Sequence, residues 1–272
     1  MKVSRTVLKT SGTGDSLAEF NNFIEANLEG ANLSQAYYNT ATIFPSDFDA
    51  AEAGAYLIAP GASLQNANLS GANLNTVNLT GANLQGANLN STALVQANLT
   101  QVNLTGANLT KTNLQQAKLI QGNLSEVNLS EADLRSANLT AANLISANLM
   151  QAKLGSANLT AADLSTANLK NVEINRNTNL RGANLSGGNL VGVSLSEINL
   201  SGANLSEANL CSADLRWANL SKANLTSADL RGVDLSQANL EKANLKDANI
   251  GGTNLTGAKL TGAIMPDGKT NE

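Results

Sequence analysis

The sequence predicts an all-β solenoid, a rod wound from short flat sides rather than a globular domain. Three observations point to it. A leucine recurs at every fifth residue over most of the 272 residues, an alanine commonly sits two places before it, and aromatics make up only 3% of the chain. A period of five fits neither the 3.6 of a helix nor the 2.0 of an ordinary strand. A chain that turns an apolar pair inward every five residues has to bend every five residues. Four such sides close a square of about 20 residues, whose turns stack at about 4.8 Å, the spacing of hydrogen-bonded strands.

The elements follow in order. Residues 1–22 do not repeat. Asp15 or Ser16 is placed to cap a short helix running to Ile24, and the segment reads as a cap over the first open coil, because solenoid ends need capping. A short first block, 23–38, carries Phe23, Leu28, Leu33 and Tyr38 at the inward places. Residues 39–61 break the period and hold Phe44, Phe48 and Tyr56. There Asp47 or Asp49 would cap a short helix through Leu57, ended by Pro60-Gly61. This non-repeat insertion reads either as a loop packed on the rod or as a recognition loop, since insertions on solenoids gather on the binding face.

The first long block, 62–176, holds 23 units without a slip, from Leu64 to Ile174. One extra residue near Asn177 shifts the register. The second block, 177–265, then runs from Leu180 to Leu260 and Met265, a further 18 units. Leu64, Leu69, Leu104, Leu144, Leu185 and Leu220 stand for the inward row in both blocks. Glycines such as Gly71, Gly81, Gly106 and Gly202 fall where the corners should be. The tail, 266–272, opens with the turn signal Pro266-Asp267-Gly268. An uncovered last coil is an exposed edge, so the expected state is a monomer or a weak end-to-end dimer, with the tail as a second way to cover it.

The A-N-L-x-x units identify the chain as resembling the pentapeptide-repeat family, whose pattern is A(D/N)Lxx. The resemblance covers about four fifths of the chain. It implies a right-handed quadrilateral β-helix, with the Leu and the Ala two places before it directed inward and the other three residues outward or at corners. The Phe-Pro and Phe-Asp pairs of 44–49 and the Ala263-Ile-Met-Pro-Asp-Gly ending are similar to cyanobacterial members. One such member influences heterocyst development through a regulatory protein. Others are acidic DNA mimics that bind type II topoisomerases such as gyrase.

Mimicry needs dense negative charge along the rod. Here the net charge is only −4, and no charge of either sign lies between Glu52 and Lys111. Further on, acids alternate with bases. Counting units in fours puts Asp133, Arg135, Lys153, Glu173 and Arg176 on one face, continued by Glu197, Asp214, Arg216, Trp217 and Asp234. This mixed stripe reads as a partner site with Trp217 as anchor, or as a solvated, self-neutralising surface. Binding to ice through flat Thr ranks is disfavoured, because Thr100, Thr105 and Thr110 fall on three sides.

Catalysis has little to work with. The chain has no His, and its single cysteine, Cys211, faces outward beside a corner. That removes Ser-His-Asp and Cys-His nucleophile systems and His-based metal sites. The expectation is a non-catalytic interaction scaffold without cofactor or metal, binding a protein through Phe44, Phe48, Tyr56, Arg216 or Trp217. Neither nucleic acid nor membrane is expected as a partner, since the pI is near 5.0 and no apolar run is long enough to span a bilayer. No apolar leader occurs in residues 1–11, so a cytoplasmic location is expected.

Overall fold

The computed structural model of the protein describes residues 22–272. The cap expected over 1–22, with its helix from Ser16, lies outside the described residues save for its end.

From Ser63 onward the backbone climbs in square coils. Parallel bridges join residues 20 apart, from Ser63 and Asn83 to Asn244 and Ile264. The pattern on each side is constant. The Leu N–H donates to the coil above, as from Leu84 to Asn103 O at 2.7 Å, and the Asn N–H donates to the coil below, as from Asn103 to Ala82 O at 2.9 Å. Leu and Ala side chains fill the interior. Leu64, Leu69 and Leu104 are 1%, 2% and 1% exposed, and Leu144, Leu185 and Leu220 are fully buried.

Each corner is a four-residue turn from Leu to the next Ala, closed by a bond such as Ala87 N–H to Leu84 O at 3.0 Å. Its third residue has positive φ while its second does not, which is type II geometry. Gly81 meets that demand without cost, at φ 65° and with open space where a Cβ would stand. Ala141 sits at the same place with φ 54°, so the ladders above and below hold most corners in a conformation that L residues disfavour. The Asn of each unit has a local task. Its Oδ1 accepts the N–H two residues on, as from Thr140 to Asn138 at 3.1 Å, forming an Asx turn that leads into the corner. Several also stack across coils, with Asn204 Nδ2 donating to Asn184 Oδ1 and Asn224 Nδ2 to Asn204 Oδ1, both at 3.0 Å.

The extra residue lies in the corner 174–178. Bridges spaced by 20 residues at Lys153 and Glu173 become 21 at Asn158 and Asn179, and return to 20 at Asn179 and Asn199. Side chains take over the local bonding. Ser156 N–H donates to Asn175 Oδ1 at 2.9 Å and to Thr178 Oγ1 at 3.1 Å, and Thr178 Oγ1 donates to Leu154 O at 2.8 Å. Thr92 and Thr112, buried where most units have Ala, donate in the same way to Leu69 O and Leu89 O.

The segment before the rod departs from expectation. No helix forms between Asp47 and Leu57. Asp49 Oδ1 caps a single turn through the N–H groups of Ala51 and Glu52, at 2.8 and 3.0 Å. Ala55 N–H then returns to Ala50 O, and Gly54 at φ 89° passes close to Ser34. Strand pairing ends the turn: β1, Tyr37–Tyr38, pairs in parallel with β2, Tyr56–Leu57, Tyr37 facing Tyr56. With Phe23 N–H bonded to Ile43 O and Leu33 N–H to Ala53 O, residues 43–58 form a second coil stacked on the first, rather than a loop laid on the rod.

These two coils do not join the main ladder. Tyr37 and Tyr56 instead belong with the core that begins at Ala62, and Tyr38 belongs to a separate small core of Leu33, Ala36, Ala50 and Ala55. The β1–β2 sheet therefore lies between two cores. Its tyrosine hydroxyls stand in for the missing carbonyls, Tyr56 accepting the Asn68 N–H at 3.5 Å and Tyr37 accepting from the backbone of Asn73.

At the other end the tail folds back as a hairpin. Ile264 and Thr270 bridge antiparallel, and Asn271 bonds Gly262 and Ala263 at 2.7 and 2.8 Å. It covers one side of the last coil, where Ile250, Leu255 and Leu260 are only half-buried.

Candidate functional site

The repeat places the mixed-charge residues in register. Bridges link Asp133 to Lys153 and Lys153 to Glu173, then Ser194 to Asp214 and Asp214 to Asp234. The Arg176–Glu197 pair, at 3.9 Å, spans the bulge between the two groups, so one face carries the whole stripe. Arginine heads are held by the aspartate two residues before them. Arg216 Nε and an Nη reach Asp214 at 2.8 and 2.7 Å, and Arg135 grips Asp133 in the same fork.

Arg231 grips Asp229 likewise on the neighbouring side. These forks set the acidity of the carboxyls. Arg216 holds Asp214 below the ordinary value of 3.8, against a smaller opposing effect of burial. Burial pulls Asp133 upward, but hydrogen bonds from Arg135 and Gln115 outweigh it and leave a net lowering. Asp229 is lowered furthest, by Arg231 first and with help from the Cys211 thiol. That thiol is itself raised, by burial and then by Asp229, which leaves it protonated and a weak nucleophile.

Trp217 follows Arg216 at the corner and is 63% exposed. Its coil neighbours at that corner are Glu197 and Gln237, each also at positive φ. It is the largest exposed apolar side chain among those described.

The N-terminal candidates separate. Phe44 and Phe48 lie in one aromatic cluster, with Phe23 stacked on Phe44 at 5.7 Å, Tyr38 edge-on at 5.3 Å and Phe48 tilted at 5.5 Å. Tyr56 is not with them. It faces the main core, its hydroxyl engaged by Asn68. Arg216 and Trp217 stand on the rod, far along the sequence from both.

The 20-residue coil aligns residues that lie far apart in adjacent units. Ile145 is 38% exposed at a corner, and Met150, Lys170, Val191 and Cys211 occupy equivalent corners of successive coils. Thr80, Thr100, Thr140 and Thr160 do line up on one side, with Ile120 between them. Their hydroxyls donate to the preceding Asn Oδ1 at 2.6 to 2.7 Å, so they complete turns as well as face solvent. Among the described residues no cluster of potential ligands is able to hold a metal ion, and no helix is long and apolar enough to cross a membrane.

A square coil with Leu and Ala inside and turn-forming Asn outside defines a β-solenoid built for surface rather than for a pocket. The chain belongs to the pentapeptide-repeat family. The family model "Pentapeptide repeats" matches repeatedly, over 61–92, 91–123, 132–171, 147–187, 174–202, 189–226 and 223–262, and the fold is the right-handed quadrilateral β-helix of that family. No curated protein sequence matches. Among solved structures the chain is similar to HetL, a pentapeptide repeat protein involved in heterocyst differentiation regulation from the cyanobacterium Nostoc sp. strain PCC 7120. Identity is 36% over 72% of this chain and 92% of that one, with a TM-score of 0.38. QnrB1, a plasmid-mediated fluoroquinolone resistance protein, is 17% identical over 64% of this chain and 82% of its own, with a TM-score of 0.40. Rfr23 from the cyanobacterium Cyanothece 51142 is 38% identical over 35% of this chain and 62% of that one, with a TM-score of 0.21.

Proposed function

We propose that this rod is a non-catalytic cytoplasmic scaffold that binds another protein, and that the mixed-charge face with Trp217 makes the contact. The observation that carries this reading is Trp217, 63% exposed beside an arginine already fixed by Asp214. Trp and Arg are both among the residue types enriched at binding hot spots, and neither side chain is needed to close the coil. The alternative, DNA mimicry toward a topoisomerase, needs a continuous acidic face, whereas this stripe alternates in sign.

The test compares affinity capture from the source cell by the wild-type chain and by Trp217→Ala and Arg216→Glu variants of unchanged melting temperature. Loss of one specific partner in both variants supports the face. An unchanged set of partners removes it, and gyrase inhibition at low micromolar protein would favour the alternative.

A further inference from the structure

The ladder fails on one side of one coil. From Leu64 to Leu245 the inward Leu of each unit donates its N–H to the coil above, and among the described residues Ile174, in a Leu place, is the single exception. The step beneath shows what is missing. Leu154 N–H donates to Glu173 O at 2.7 Å, and Glu173 N–H donates to Ala152 O at 2.8 Å. One step higher the same places would join Ile174 N–H to Ser194 O and Ser194 N–H to Val172 O, and neither bond forms. No bridge joins Glu173 to Ser194, although the Lys153–Glu173 bridge lies directly below and the Ser194–Asp214 bridge directly above.

The gap is a wedge. On the opposite side of the square, Leu164 N–H reaches Asn184 O at 2.6 Å. On the two flanking sides the equivalent bonds lengthen, to 3.0 Å from Leu169 to Asn189 O and to 3.1 Å from Leu180 to Asn199 O. On the fourth side, the mixed-charge face, the bond is gone. The interior shows at this mouth: Val172 is 7% exposed and Ile174 half-buried, where Leu154 below and Leu195 above are fully buried. The extra residue is the cause. Asn175 and Thr178 turn their side chains down to Ser156 N–H and Leu154 O, which ties the uneven corner to the coil below and leaves the coil above without a partner. Among the described residues the one ion pair across the mouth is Arg176 to Glu197, at 3.9 Å with both ends exposed, and exposed pairs hold little.

We propose that this wedge is a joint, at which the two long blocks of the rod swing about the intact Asp163–Asn184 side and open or close the mouth on the mixed-charge face. The other three sides keep their bridges, so the blocks stay attached, and a few residues at the ends of one element absorb the motion, as in other hinges. Asp133, Lys153 and Glu173 lie below the mouth, and Asp214 and Asp234 above it, so the swing changes the spacing of charges that a docked protein would meet. The joint depends on the ladder alone and not on which face meets a partner.

Two measurements on the full-length chain test this. In amide hydrogen exchange, Ile174 and Ser194 should exchange at least about a hundredfold faster than Leu164 and Asn184, which flank the same gap on its closed side. Deleting Arg176 removes the extra residue and leaves Asn177, a residue type that tolerates positive φ, at the third place of the turn. Ile174 and Ser194 should then exchange as slowly as Leu154 and Glu173. The motion itself is read by distances between paired spin labels in a Cys211→Ser chain. One pair (Arg135→Cys, Ser236→Cys) straddles the mouth and the other (Ile145→Cys, Lys246→Cys) straddles the closed side, each over five coil steps of about 24 Å in all. The mouth pair should give a distribution about twice as broad as the closed pair, and the deletion should narrow it to match. Two outcomes overturn the proposal: Ile174 and Ser194 as protected as Leu164 and Asn184, or fast exchange with two equally narrow distributions, which would make the wedge a fixed gap. Both comparisons are made within the natural register, so neither depends on the deleted chain folding.

Discussion

The irregular corner should fail non-additively. At 174–178 the Ser156 N–H has two acceptors, Asn175 Oδ1 at 2.9 Å and Thr178 Oγ1 at 3.1 Å. Asn175→Ala removes the first and also frees Asn177 N–H, which Asn175 Oδ1 accepts at 3.1 Å. Thr178→Val removes the second and takes one donor from Leu154 O, a carbonyl that keeps Ala157 N–H at 2.9 Å. In each single variant Ser156 N–H still has a partner, so each loses about 1 kcal/mol, the net worth of an ordinary hydrogen bond. The double variant leaves Ser156 N–H with none. An unsatisfied buried group costs about 1–3 kcal/mol, and the half-buried setting of Ser156 puts the extra loss near the bottom of that range. The double variant should therefore lose about 3 kcal/mol where the singles add to about 2 kcal/mol. Urea unfolding gives the totals. Exchange at the Ser156 amide gives the local part, about fivefold faster in the double variant than the singles together require. Additivity within about 0.5 kcal/mol would refute the shared-donor reasoning.

Two further outcomes follow from the rod and its forks. Asp133, Asp214 and Asp229 are all lowered below 3.8 in the folded chain, so the stability they contribute is complete above that pH and is lost as pH falls through their folded values. The melting temperature of a triple Asp→Asn variant should accordingly fall less between pH 4 and pH 2 than that of the wild type, and parallel acid curves would contradict the assignment. Leu144→Ala, in the fully buried middle, should cost about 3–5 kcal/mol, whereas Leu255→Ala, in the half-covered last coil, should cost about 1–2 kcal/mol; equal losses in urea unfolding would mean that the open end is covered.

Much of the fold is legible in the sequence because each repeat unit states the same local rule. Leu and Ala mark the inside, Asn forms the Asx turn, and the slip near Asn177 marks the one uneven corner. The segment 39–61 was not legible in the same way. Asp49 followed by alanines is a sound helix start, and the turn it caps does form, but pairing of Tyr56–Leu57 with Tyr37–Tyr38 overrides helix propensity after Gly54. Tyr56 reads as an exposed recognition residue only if its hydroxyl is imagined free. What the sequence omits is that the first coil of the rod has no ladder beneath it, and that a hydroxyl from outside the repeat takes up the Asn68 N–H. The charged stripe was legible because a 20-residue coil brings every fourth unit onto one face. The Thr column is not apparent between adjacent units, because consecutive units lie on different sides and only every fourth unit shares one.

The dimensions of the stripe constrain what binds it. From Asp133 to Asp234 it runs over six coils, with bridges on either side of the bulge, and the five steps between them at about 4.8 Å each span about 24 Å. A side of the square, three residue steps long, is about 10 Å wide. One face therefore offers about 240 Å², under a third of the about 800 Å² that each partner commonly buries in a stable complex. A partner confined to that face would bind weakly, so a stable one has to cross a corner. Trp217 stands on such a corner, between Glu197 and Gln237. A tryptophan there extends the contact onto the adjoining side where flat contact runs out, which is a physical reason for a large apolar residue to stand outside a rod whose core is built of leucine and alanine.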